Sequence, residues 1–67
     1  MSLARHAAEQ LTTAREYFDR STGNLTEALS GLAPAEGIMT AVQSLAAARA
    51  SFEQAIAIAV ATIATQQ

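Results

Sequence analysis

The chain has 67 residues, no cysteine, a net charge of −2, 51% hydrophobic residues and 15% charged ones. A chain this short is one domain at most. It buries only about 60% of its unfolded surface and depends on a disulfide, a metal or a partner chain. With no Cys and one His, disulfides and ordinary zinc sites are excluded, so association is the staple that remains.

Ser2 is an N-cap for a helix that begins at Leu3. Apolar residues then fall at Leu3, Ala7, Leu11, Ala14, Phe18 and Leu25. Those steps trace one stripe of an amphipathic helix. The other face carries Arg5, Glu9, Glu16 and Arg20. The pairs Arg5–Glu9, Arg15–Asp19 and Glu16–Arg20 are four apart, and each is worth roughly a few tenths of a kcal/mol. Thr22-Gly23-Asn24 predicts that the helix stops or loosens near Asn24, because Gly costs about 1 kcal/mol against Ala inside a helix, although nothing there forbids continuity as Pro would. A short turn over 26–30, capped by Thr26, follows.

The stretch 31–39 reads as the connector. Gly31 suits the left-handed conformation that ends helices, Pro34 disfavours helix at Ala33, and Gly37 adds a flexible point. So short a connection makes its two helices antiparallel neighbours.

The second helix is expected over 41–65, opened by a Thr40–Gln43 capping box with Ile38 or Met39 as its staple. Val42, Leu45, Phe52, Ile56, Ala59 and Ile63 form its seam. Arg49 is the exception on that line, snorkelling outward or pairing with Glu53. From Ala55 to Ile63, Ala alternates with Ile or Val, as it can in a strand. The tract continues from Thr40 without a turn residue, so helix is the reading. Arg49 and Glu53 are the only ionised side chains from Thr40 onward. A helix so apolar must be buried on more than one side. Ile56 and Ile63 are expected to face the first helix, and Ile58 and Val60 another chain.

The acidic balance, the absence of Lys and 4% aromatic content argue against a nucleic-acid partner. Gln54 to Gln67 is shorter than the roughly 20 residues of a bilayer span, and extending it backwards meets Glu53 and Arg49. With no signal-peptide pattern, the expectation is a cytoplasmic chain with no membrane partner.

Several segments resemble the first helical hairpin of the DinB-like family. They are Glu16-Tyr17-Phe18-Asp19-Arg20-Ser21-Thr22, Asn24-Leu25-Thr26-Glu27, Ser30-Gly31-Leu32-Ala33-Pro34-Ala35-Glu36-Gly37, Met39-Thr40 and Gln43. The likeness covers roughly 10–53. It implies half of a four-helix bundle from a family of metal-dependent enzymes, some of them thiol transferases and many of them dimers. The family's metal is held by three His. The position matching the second-helix His is Ala47 here, and the third and fourth helices have no counterpart. The resemblance thus supports the bundle and weighs against the enzyme. The Ala-rich second helix also resembles an engineered or evolved fragment.

Other site readings have simpler structural explanations. His6 and Glu9 are weak metal candidates three apart on one face, most simply a surface His beside a surface Glu. Glu16 and Asp19 sit beside Arg15 and Arg20, as on a solvated ion-paired face rather than an acid–base pair. Asn24-Leu25-Thr26 matches a glycosylation sequon with no secretory signal. Ser21, Ser30, Ser44 and Ser51 have no neighbouring base, and Tyr17 and Phe18 read as boundary and core residues.

The expected architecture is therefore all-α: a two-helix antiparallel hairpin that dimerises with itself into a four-helix bundle. Its expected interface is Leu11, Ala14, Phe18, Leu25, Leu45, Phe52, Ile56, Ala59, Val60 and Ile63. The expected function is self-association, with no catalysis and no cofactor. The alternatives are a remnant or subunit of a DinB-like metal enzyme that takes His from a partner, and a groove that binds a partner helix.

Overall fold

A computed structural model describes Ser2 to Gln66, with Gln66 described by its backbone alone. The protein is all-helical, with α1 over Leu3–Ser30 and α2 over Ala35–Gln66. At 28 and 32 residues these helices are about 42 and 48 Å long. The whole molecule measures 50 × 15 × 13 Å, so they lie side by side and antiparallel.

Each helix contributes one regular line of its least exposed residues. On α1 these are Ala7, Leu11, Ala14, Phe18, Ser21, Leu25 and Ala28. On α2 they are Ile38, Ala41, Leu45, Ala48, Phe52, Ala55, Ala59 and Thr62. The steps alternate three and four, as in a coiled-coil seam. Every second position is small: Ala7, Ala14, Ser21 and Ala28 on one side, Ala41, Ala48, Ala55 and Thr62 on the other. The small residues let the backbones approach, and the larger ones interleave between them. Phe18 and Phe52 stack at mid-seam, with ring centroids 5.7 Å apart.

Ser2 caps α1 as expected: its Oγ accepts from the Arg5 backbone N–H at 3.0 Å. The helix does not stop at Asn24. It runs through Gly23 to Ser30, and Thr26 donates to the Thr22 carbonyl instead of capping a new turn. Hydroxyls that bond back four residues, here from Thr22 and Thr26, satisfy themselves without breaking the ladder.

The connector is also shorter than 31–39, because α2 begins at Ala35, directly after Pro34. At that point the missing proline N–H costs nothing, and the Pro34 carbonyl accepts from the Ile38 N–H at 3.1 Å. Thr40 therefore lies inside the helix, and its hydroxyl donates to the Glu36 carbonyl at 3.0 Å rather than forming a capping box.

Gly31 has φ −85, and the left-handed residue is Leu32, at φ 55. The Ala33 N–H reaches the Ala28 carbonyl at 2.9 Å, and the Leu32 N–H reaches that of Leu29 at 3.4 Å. These two bonds form a Schellman cap whose left-handed position holds Leu instead of the usual Gly.

The expected seam on α2 divides in two. Leu45, Phe52 and Ala59 face α1, whereas Val42, Ile56 and Ile63 are exposed. Steps of three and four can lead from 42 to 45 and equally from 45 to 48, so the sequence pattern merges two adjacent lines. The inner place expected of Arg49 belongs to Ala48, which is fully buried.

Candidate interaction surface

The hairpin is one pair of helices, and among the described residues no third element covers either of them. Among the described residues the buried positions are all small: Ala7, Ser21, Ala48 and Ala55. The radius of gyration is 15.2 Å, against about 11 Å for a compact chain of this length. The accessible surface is 5029 Å², against about 4,000 Å² for a folded monomer of 7.0 kDa. Most of the exposed large apolar side chains belong to α2: Met39, Val42, Ile56, Ile58, Val60 and Ile63.

A second line runs along α2, one residue ahead of the inner seam. It comprises Met39, Val42, Ala46, Arg49, Glu53, Ile56, Val60 and Ile63. Its large apolar members are all exposed, Val60 by 62% and Ile63 by 56%. One residue turns an α-helix by about 100°, close to the right angle at which a helix in a square bundle meets its two neighbours. α2 thus has two regular seams, one filled by α1 and the other open.

At the middle of the open seam, Arg49 Nε donates to Glu53 Oε1 at 3.0 Å. The side chains of this pair are 74% and 65% exposed. The corresponding line on α1 has a different character: Thr12, Arg15, Asp19, Thr22 and Thr26 dominate it, and Arg15 and Asp19 lie 3.8 Å apart. Among the described residues, the expected pairs Arg5–Glu9 and Glu16–Arg20 do not reach ion-pair distance.

Of the ten residues expected at an interface, Leu11, Ala14, Phe18, Leu25, Leu45, Phe52 and Ala59 lie along the seam between α1 and α2. Ile56, Val60 and Ile63 lie on the open line. Met39, Val42, Ala46 and the Arg49–Glu53 pair complete that line, which residue spacing alone did not separate from the inner seam. Their signal in the sequence is the unbroken alternation of threes and fours from Met39 to Ile63.

His6 and Glu9 line a shallow groove of about 610 Å³ on the other edge of the hairpin. Gln10, Thr13, Tyr17 and Ser51 line it with them. Among the described residues, no three His, Asp or Glu side chains converge as a metal site would require. Ala47, the position that the sequence resemblance sets against a metal His, is exposed on α2.

Over Ala35–Thr65, α2 is long and apolar enough to cross a membrane. The length expectation set by Gln54 to Gln67 alone is thereby exceeded, with Arg49 and Glu53 near the middle of the longer span. No protein-family model, curated protein or solved structure matches the chain.

Proposed function

We propose that this protein is a self-associating helical-bundle module with a structural rather than a catalytic role. Two hairpins come together as a homodimer, and their four helices form a bundle. The observation that carries this reading is the open apolar seam of α2, on which Val42, Ile56, Val60 and Ile63 stand exposed. Ile56, Val60 and Ile63 follow one another on it without a charge between them, and an exposed apolar patch of this kind marks an interaction site. A closed twofold arrangement covers it by using the same patch twice. The DinB-like resemblance supports the same architecture, since it accounts for one helical hairpin of a bundle that has two.

Light scattering or sedimentation of the pure chain at micromolar concentration tests this directly. The expected mass is twice the 7.0 kDa of one chain. A cooperatively melting species of single-chain mass would overturn the reading. Partition of α2 into lipid vesicles as a monomer would overturn it in favour of a membrane segment.

A further inference from the structure

The geometry points to an antiparallel, twofold-symmetric contact between α2 and α2 of a second copy, centred on residue 51 and locked by reciprocal Arg49–Glu53 pairs. This arrangement rests on the self-association proposed above and specifies its register.

The open seam is self-complementary about its midpoint. Arg49 and Glu53 are equidistant in sequence from residue 51, as are Ala46 and Ile56, and Val42 and Val60. When two copies of α2 run antiparallel across an axis at that point, each cation faces an anion. Each Ala46 faces an Ile56, a small residue against a large one. A parallel pairing in register sets Arg49 against Arg49 and Glu53 against Glu53. Like charges directly opposed across a packed surface are strongly disfavoured. The Arg49–Glu53 pair already formed within one chain holds both side chains extended along the seam. Two such pairs brought together alternate in sign and make a four-charge cluster.

α1 does not compete for this contact. Its line on the same side carries hydroxyls, Thr12, Thr22 and Thr26, where that of α2 carries Val42, Ile56 and Val60. The two copies of α2 therefore supply the apolar contact of the dimer, and the polar lines of the two α1 helices lie beside it in the bundle.

Charge reversal tests the register. Arg49→Glu and Glu53→Arg each place like charges across the axis and also abolish the pair within the chain. Each variant alone is expected to weaken the dimer by roughly tenfold or more, read by sedimentation equilibrium. An equimolar mixture of the two variants is expected to recover a dimer, because each chain then presents the charge that the other lacks. The pair within the chain is absent from both variants, so it cannot explain the recovery.

Dimers unaffected by either substitution, or weakened but not rescued by mixing, would overturn this register and leave self-association standing. A monomeric parent chain would overturn both. A cysteine readout decides the matter independently of charge. Oxidised A46C/I56C is expected to form a covalent dimer, and A46C or I56C alone is not. Within one chain these positions are about 15 Å apart along the helix, too far for a disulfide. A covalent dimer from A46C alone would establish a different pairing and overturn the proposal.

Discussion

Phe18 and Phe52 stack across the hairpin with their ring planes 16° apart and their centroids at 5.7 Å. They are the two phenylalanines of the chain and the largest side chains on the inner seam. Their pairing sets the register of α1 against α2. From it, Leu25 falls level with Leu45, and Leu11 with Ala59.

Phe52→Ala removes the ring that defines this register. The expected loss is about 3 kcal/mol, since Phe-to-Ala truncations in packed sites cost that or more. For a chain of this length each kcal/mol moves the melting temperature by about 4–8 °C. Circular dichroism at fixed protein concentration reads the shift. Tyr17→Ala is the control: it removes an aromatic beside Phe18, but one on the groove edge and partly exposed. It is expected to change stability by only about 0.5 kcal/mol. Equal losses from both variants would rule out a special place for the Phe18–Phe52 stack.

Ala48 has no exposed surface, and Ser21, at nearly the same level on α1, is buried as well. Two small residues there allow the helices to approach. Ala48→Leu forces them apart, at an expected cost of about 1–3 kcal/mol or more. Ala47→Leu, one position away and exposed, is expected to be close to neutral. Thermal melts of the two variants side by side check the assignment of Ala48 to the inner line.

Much of this fold is legible in residue spacing. The break at Pro34, the stripe of α1 and the helical nature of the Ala-Ile tail follow from periodicity and from one residue that cannot continue a helix. The face of α2 is harder to read, because apolar residues occur at both 42 and 45 and at both 56 and 59. Two lines 100° apart then satisfy the same steps, and only packing against α1 separates them. The helix ends are blurred for another reason. Threonine favours caps in isolation, yet the Thr26 and Thr40 hydroxyls each donate to a carbonyl four residues back and stay within the helix. The open seam contains no catalytic residue pattern to search for. It becomes evident once α1 is seen to cover the neighbouring line and leave this one bare.

Gly23 lies in the interior of α1, and a Cβ built there meets nothing within 4 Å. Gly inside a helix is about 1 kcal/mol worse than Ala, chiefly because it has more freedom to lose. Gly23→Ala is therefore expected to stabilise the protein by about that amount, a rise in melting temperature of roughly 4–8 °C. A decrease would mean that the helix does not continue through this position in solution. Such a result would favour the break near Asn24 that local propensity alone predicts.

Leu32 carries the left-handed conformation of the cap, and its side chain is 89% exposed. Leucine in that region is strained by about 1–2 kcal/mol, because its Cβ crowds the following carbonyl. Exposure leaves no burial to offset the strain. Leu32→Gly removes the Cβ and keeps both cap hydrogen bonds, which are made by backbone groups. Part of the gain is lost to the greater freedom of Gly in the unfolded chain. The net expectation is a stabilisation of about 0.5–1 kcal/mol. Leu32→Ala separates the causes, since it shortens the exposed side chain but keeps the Cβ. Alanine is expected to melt close to the parent and glycine several degrees higher. If alanine gains as much as glycine, exposed apolar surface rather than backbone strain is the operative term. If both melt lower, Leu32 makes a contact in the assembled protein that is absent from the single hairpin, and the tip joins the surface covered by the second copy.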